Sequence, residues 1–335
     1  MTSPSLADTS AMAESNPVRS PRRRWRVLLR IVVGAGVIAA LLARTNLGAL
    51  AETVRRVQPG YLVAAFAAIV AGVVISAVRW QAFLRVLGVD KPLSSLTRLY
   101  FVGMFFNAFL PTGVGGDAYK ALRLRRDVGS LARSLSSTIL DRLAGVAGLA
   151  LLGAAAVVVR VVAGEHGRVV AAAAICSALI LVSVAAIVGA PGIVAALIRV
   201  LPVRRLRSAG ADALEAITRA SRDRRAGTIG LLTGIVFQGL VLAFHVLLVA
   251  GLHLHVDLAR LMCVVVVATV ASLIPLTFNG LGFREAAYVW TLGAYGVAGP
   301  QALALSLLVV ALLLAGSVVG GVLYIGGHRT DGDLE

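Results

Sequence analysis

Six apolar runs, each long enough to cross the hydrocarbon of a bilayer, constrain this chain before any motif is read: 27–43, 61–78, 135–159, 169–188, 228–252 and 302–325. A helix needs about 20 apolar residues, within a range of about 17 to 25, to make that crossing. A seventh run, 258–274, is shorter but adequate. With 59% hydrophobic and 14% charged residues, the chain carries too little charge to coat a soluble surface. The expected fold is an all-α polytopic membrane protein of about eight transmembrane helices.

Two interruptions stand out against this background. The first runs from Phe105 through Asn107, Leu110-Pro111-Thr112 and Gly115-Gly116 to Asp117. The second runs from Ile274-Pro275 through Thr277, Asn279-Gly280 and Gly282 to Arg284-Glu285. In each, Pro ends an apolar run, Thr and a Gly pair follow, and an ionisable group closes the break with a Tyr soon after (Tyr119, Tyr288). Irregular backbone survives at membrane depth only where protein or a water-filled cavity satisfies its N–H and C=O groups, so both breaks belong inside a bundle. The apolar run 99–110 is too short to cross and the stretch behind it is strongly basic, so 96–116 reads as a re-entrant hairpin that enters and leaves on one side. Residues 283–297 fit either a short span or the returning arm of a second hairpin.

The formal charge is +16. Because the basic residues lie between apolar runs, they mark loops facing anionic headgroups, not a nucleic-acid surface. With the N-terminus placed in the cytoplasm, inside segments hold 22 Lys and Arg and outside loops hold 5. That asymmetry predicts a multi-pass plasma-membrane protein with both termini cytoplasmic. Residues 1–22 are Ser-, Pro- and Ala-rich and read as a disordered tail, 23–327 as one membrane domain, and 328–335 as a short C-terminal tail. The basic loop 190–227 fits an amphipathic helix over 209–225 on the inner leaflet, or equally a solvated connector. On the same orientation the two breaks are approached from opposite sides, as in an inverted-repeat transporter with its site near the midplane.

The order Arg79-Trp80, Tyr100-Phe101-x-Gly103-x-Phe105-Phe106-Asn107, Leu110-Pro111-Thr112-x-x-Gly115-Gly116-Asp117, Asp141-Arg142-x-x-Gly145 and Asn279-Gly280-x-Gly282-x-Arg284-Glu285 resembles the flippase-like family related to the transmembrane domain of lysylphosphatidylglycerol synthases. The likeness runs over nearly the whole chain from about Arg24. The family's fused enzymes add a soluble aminoacyl-transfer domain, whereas this chain ends at Glu335 directly after its last span. The resemblance therefore implies lipid translocation and argues against aminoacyl transfer.

Each candidate residue has a structural reading beside its functional one. Asp117 is either an N-cap or a fixed charge that orients a cationic headgroup or pairs with an Arg. Arg284 and Glu285 are ionisable groups at membrane depth, where such groups are functional by default. Neighbours on a helix point about 100° apart, so each is expected to need its own partner. Arg284 suits a lipid phosphate, and Glu285 would pair with Arg79 or Arg142. Asp141 and Arg142 fit a structural link to Arg133 or Lys120 as well as a substrate role. Asn107 and Asn279 are expected to satisfy backbone groups freed by the breaks. Arg79-Trp80, ending the second span, reads as an interface anchor whose functional role rests on the resemblance. Gln238 and His245, seven apart and so on one helix face, are expected to bond to neighbouring helices.

No catalytic or metal-binding motif emerges. His253-x-His255-x-Asp257 is a short loop lacking support for a metal, and Cys176 and Cys263 both fall inside apolar runs. Gly113-x-Gly115-Gly116 lacks the Lys-Ser/Thr of a phosphate-binding loop, and no HExxH or GxSxG occurs. No cofactor is expected. The leading expectation is a non-enzymatic lipid flippase that moves an anionic phospholipid or lipid-linked glycan headgroup. The rivals are a membrane-embedded lipid or glycan transferase with Asp117 or Glu285 as base, and a scaffold that recruits a partner through 199–225. Oligomeric state is open.

Overall fold

The computed structural model describes residues 32–33, 35–43, 45–109, 115–200, 204–273, 277 and 280–331. The cores of both interruptions, including Pro111, Pro275 and Asn279, lie outside the described residues, as does the tail 1–22. Among the described residues the chain is helical throughout, without strands.

The helices follow in order: α1 (Ala35–Ala43), α2 (Leu47–Arg55), α3 (Pro59–Val86), α4 (Leu93–Phe109), α5 (Gly115–Val128), α6 (Leu131–Val162), α7 (Arg168–Gly189), α8 (Pro191–Arg199), α9 (Arg204–Arg222), α10 (Arg224–Gly251), α11 (Leu258–Ser272), α12 (Phe283–Ala294) and α13 (Gly299–Asp331). Five of them, α3, α6, α7, α10 and α13, are long and apolar enough to cross a membrane. The pair α1–α2, bent by 96°, makes a sixth if it counts as one broken span. The rest of the expected membrane-embedded length is used by two hairpins.

Helix–helix contact here depends on small residues, because hydrocarbon gives two apolar helices no reason to prefer each other to lipid. α6 and α10 cross where Gly148 meets Gly234, and a methyl on either would fall inside the other helix's backbone. Gly320 of α13 lies equally close to the Phe101 carbonyl of α4. Polar ties reinforce these crossings: Gln238 Nε2 of α10 donates to the Gly145 carbonyl of α6 at 3.0 Å.

α4 and α5 form the first hairpin. They run antiparallel, with Gly103 against Gly116, Tyr100 beside Lys120 and Leu96 in one apolar cluster with Leu124 and Val128. The 96–116 expectation is therefore extended, since the returning arm continues to Val128. α11 and α12 form the second hairpin: Gly280 lies on Ser272 at the tip, and Arg260 lies over the Tyr295 ring at the base. α12 has 12 residues, about 18 Å at 1.5 Å per residue, so it returns along α11 and does not cross.

α13 shows that the hairpins enter from opposite ends. Arg98, near the start of α4, donates to the Leu323 carbonyl at 3.1 Å, and Ser317 donates to the Met104 carbonyl at 3.3 Å. α11 and α12 instead share a core with Ala302, Leu303 and Leu305 at the other end of α13. This opposed entry is the arrangement of an inverted repeat.

The amphipathic helix in the basic loop is present as α9, but its apolar face does not meet lipid. Leu214, Ala216, Ile217 and Ala220 are buried, and Ile217 and Ala220 pack with Phe83, Leu140 and Ala226 beneath the bundle. The segment closes one end of the molecule.

Candidate functional site

The first hairpin brings together five ionisable side chains that are scattered in sequence. Arg79 of α3 donates Nε–H to Asp141 Oδ1 of α6 at 2.7 Å, with both side chains 4% exposed. The hydroxyl of Tyr100 on α4 donates to the other oxygen, Asp141 Oδ2. Lys120 of α5 lies 4.0 Å from Asp141 Oδ2 and 3.2 Å from Asp117 Oδ1. Arg142 of α6 closes on Asp117 Oδ2 with its Nε–H. The charges form a relay from interior to edge: Arg79, Asp141, Lys120, Asp117, Arg142.

Local sequence explains why they converge. Gly103 and Gly116 let α4 and α5 touch backbone to backbone, which carries Lys120 under Tyr100 and Asp117 towards α6. Asn107 Oδ1 accepts the Gly116 N–H at 2.8 Å, satisfying a donor in the first turn of α5. Trp80, fully buried, donates Nε1–H to Ser137 Oγ at 3.0 Å and holds α3 to α6 one residue from the ion pair. The Lys120 ammonium also lies 4.0 Å from the Tyr100 ring centroid and 5.1 Å from that of Trp80. Aromatic faces favour a cation in a site with little water.

Among the described residues three cations face two carboxylates, leaving one positive charge in excess. Arg79 Nη1 is buried and has no hydrogen-bond partner among the described residues. An unpaired buried donor on a charged group is costly, so an added anion at this edge of the guanidinium would lower the energy of the site. Arg142, with 47% of its side chain exposed, is the open end of the relay.

The second hairpin is electrically closed. Glu285, fully buried, accepts the Gly282 N–H and also Nε–H and Nη2–H of Arg284, each at 3.1 Å. This corrects the expectation that Arg284 and Glu285 need separate partners and that Glu285 pairs with Arg79 or Arg142. The 100° separation describes where the two side chains leave the helix, and both residues lie in the first turn of α12. Here Glu285 folds back over the open N-terminus of α12, and the long Arg284 side chain, one residue before it, reaches the same point. Gly280 (φ +73°) and Gly282 (φ +89°) supply the left-handed turns that make this possible.

Asp117 is not an N-cap, because α5 begins two residues earlier and its carboxylate is held by Lys120 and Arg142. Asp141 and Lys120 do approach, while Arg142 takes Asp117 as its partner. Arg79 and Trp80 are not interface anchors: α3 continues to Val86 and both are buried. Gln238 and His245 bond to neighbouring helices as their spacing suggested. His245 Nδ1 donates to the Val241 carbonyl at 2.7 Å, which leaves Nε2 to accept the Tyr288 hydroxyl at 2.6 Å. Tyr100 was not singled out by residue type, although its place seven residues before Asn107 on α4 lay inside the quoted motif.

At the opposite end of the bundle, Glu165 in the α6–α7 loop takes ion pairs from both Arg160 and Arg260, and Asp257 caps α11 while pairing with the same two arginines. Asp257 is thus committed, which removes the third ligand from the His253-x-His255-x-Asp257 loop. Hydrogen bonds from Arg260 and Arg160 hold the Glu165 carboxyl down at about 2. Partial burial, with the Cys263 thiol and Glu165 nearby, pushes the Tyr295 phenol up to about 12.

No curated protein matches the chain. The model of the lysylphosphatidylglycerol synthase transmembrane region matches residues 27–321. With opposed hairpins, glycine crossings and a charged cluster assembled from the motifs that carried the resemblance, this chain belongs to the lysylphosphatidylglycerol synthase transmembrane-region family.

Proposed function

We propose that the protein is a flippase for anionic phospholipids or lipid-linked headgroups, working in the plasma membrane with both termini cytoplasmic. The observation that carries this reading is the single excess positive charge of the first-hairpin cluster, with a buried guanidinium nitrogen of Arg79 lacking a partner. One phosphodiester brings one negative charge and tetrahedral acceptors that suit a guanidinium fork. Arg142, at the exposed end, receives the phosphate while the acyl chains stay in hydrocarbon. When Arg142 turns to the lipid, Asp117 keeps Lys120 at 3.2 Å, so the handover leaves no bare carboxylate. The protein acts as a carrier and not as an enzyme. Asp117 and Glu285, the carboxylates a transferase would use as base, are both engaged in ion pairs with neighbouring cations, which supports the carrier reading.

The test is reconstitution in vesicles with a fluorescent phosphatidylglycerol and a reductant added outside. The protein accelerates loss of the inner-leaflet signal, and Arg142→Ala removes most of that gain without loss of folded protein. Flip rates equal to those of empty vesicles for several anionic lipids overturn the reading.

A further inference from the structure

A second basic feature lies outside the charged cluster. α8 and α9 enclose a groove of about 990 Å³ walled by Ala195, Ile198, Ala211 and Leu214 and rimmed by Arg199, Arg204, Arg207, Arg219 and Arg222. Glu215 is the one acidic residue that lines it among the described residues. The five arginines are exposed, and none of them makes an ion pair among the described residues. Arginines at this density repel one another, and a solvated connector gains nothing from grouping them around an apolar floor.

We propose that this groove binds the phosphate headgroup of an anionic glycerophospholipid drawn from the adjoining leaflet, at a site separate from the proposed translocation path. Three observations converge on a lipid rather than a soluble anion. The walls are mostly apolar, so the groove offers a surface for glycerol and the first acyl methylenes beneath a cationic rim. α8 is apolar except for Arg199, and Ile193 and Val200 beside the groove are 65% and 81% exposed, which places hydrocarbon-seeking side chains at its edge. The apolar face of α9 is already covered by Phe83, Leu140 and Ala226, so α9 is fixed to the bundle and holds Arg207, Arg219 and Arg222 in place without a lipid. A preformed rim of guanidinium forks is a selective receptor for phosphate, in contrast to a mobile basic segment.

The experiment uses full-chain protein in phosphatidylcholine nanodiscs doped with a diazirine phosphatidylglycerol, with crosslinked peptides located by mass spectrometry. Crosslinks map to 191–222, and Arg207→Gln/Arg219→Gln/Arg222→Gln lowers their yield at least about tenfold, each cation near anionic lipid being worth about 1 kcal/mol. A control variant, Arg125→Gln/Arg126→Gln/Arg133→Gln, removes the same charge from the exposed α5–α6 region and changes the yield by less than about twofold. Equal losses in the two triple variants would show general attraction between a basic protein and anionic lipid, and overturn the site. Inorganic phosphate that suppresses the crosslink at the lipid's own concentration would overturn the lipid assignment. Because crosslinking reads binding and not transport, either result leaves the flippase reading untouched, and a failed flip assay leaves this site standing.

Discussion

Replacement of Asp141 with Ala tests the cluster at its centre. Asp141 is the acceptor shared by Arg79 at 2.7 Å, the Tyr100 hydroxyl and, more loosely, Lys120 at 4.0 Å. Removing it leaves the Arg79 guanidinium, 4% exposed, with its Nε–H as well as its Nη1 unpaired. Removing one partner of a buried ion pair costs about 3–5 kcal/mol. Arg79→Met is milder, because Asp141 then keeps Tyr100 and Lys120; about 1–3 kcal/mol is expected from one lost charged hydrogen bond. The double variant Arg79→Met/Asp141→Ala removes the buried guanidinium along with its carboxylate, so it is more stable than Asp141→Ala alone, with a coupling of at least about 1–2 kcal/mol. Unfolding in mixed micelles of rising dodecyl sulfate content measures all three. Trp80, fully buried and packed edge-on against Tyr100 at 5.6 Å, is a local fluorescent reporter. An Asp141→Ala protein within about 1 kcal/mol of the parent, or a double variant as unstable as the summed singles, would refute the argument. The double variant also separates stability from function: it folds, and it does not flip anionic lipid.

Gly234→Leu forces α6 and α10 apart at their backbone contact and costs about 1–3 kcal/mol in the same unfolding assay, whereas Gly239→Leu, facing open space, costs little. Gly282→Ala puts a side chain at φ +89° and costs about 1–2 kcal/mol, read as a lower melting temperature. Glu165 gives a pH signature. Its folded value of about 2 lies below its ordinary 4.5, so its contribution is complete above the unfolded value and fades as pH falls from about 4.5 through about 2. Glu165→Gln is therefore flatter than the parent across that window in a plot of melting temperature against pH, and identical slopes would remove the ion-pair cluster as its cause.

Much of this architecture was legible in the sequence, because hydrocarbon enforces length and apolarity without regard to detail. The five long spans and the opposed approach to the two breaks follow from run lengths and arginine placement. Helical rotation and tilt are not encoded at that level. Arg79 looked like the end of a span because charge usually marks an interface, yet α3 runs two further turns and turns Arg79 inward to Asp141, 62 residues away. Which carboxylate pairs with which arginine depends on glycine crossings such as Gly103–Gly116, whose partners lie on different helices and leave no local periodicity. The Arg284–Glu285 pair was missed for the opposite reason: the 100° argument considers where side chains start and not how far an arginine reaches, and in the first turn of α12 the Arg284 guanidinium folds onto the Glu285 carboxylate.

The same comparison assigns the hairpins different roles. Each places an acidic side chain as the third residue of its returning helix, Asp117 in α5 and Glu285 in α12, and each acid holds an arginine. At the second hairpin, Arg284 cannot turn to a lipid without leaving the fully buried Glu285 with the Gly282 N–H as its remaining partner among the described residues. That loss is of the size that breaks a buried pair, more than a phosphate contact at the same depth returns. At the first hairpin, Arg142 is half exposed, and Lys120 stays with Asp117 whether or not Arg142 leaves. On the proposed flippase reading, the headgroup would engage the first hairpin and the second would serve as a fixed counterpart. Arg142→Ala lowers the flip rate of phosphatidylglycerol with little change in stability, whereas Arg284→Ala lowers stability first and transport only in proportion to the folded fraction. A variant of Arg284 that folds at parental stability yet fails to flip would reverse the assignment.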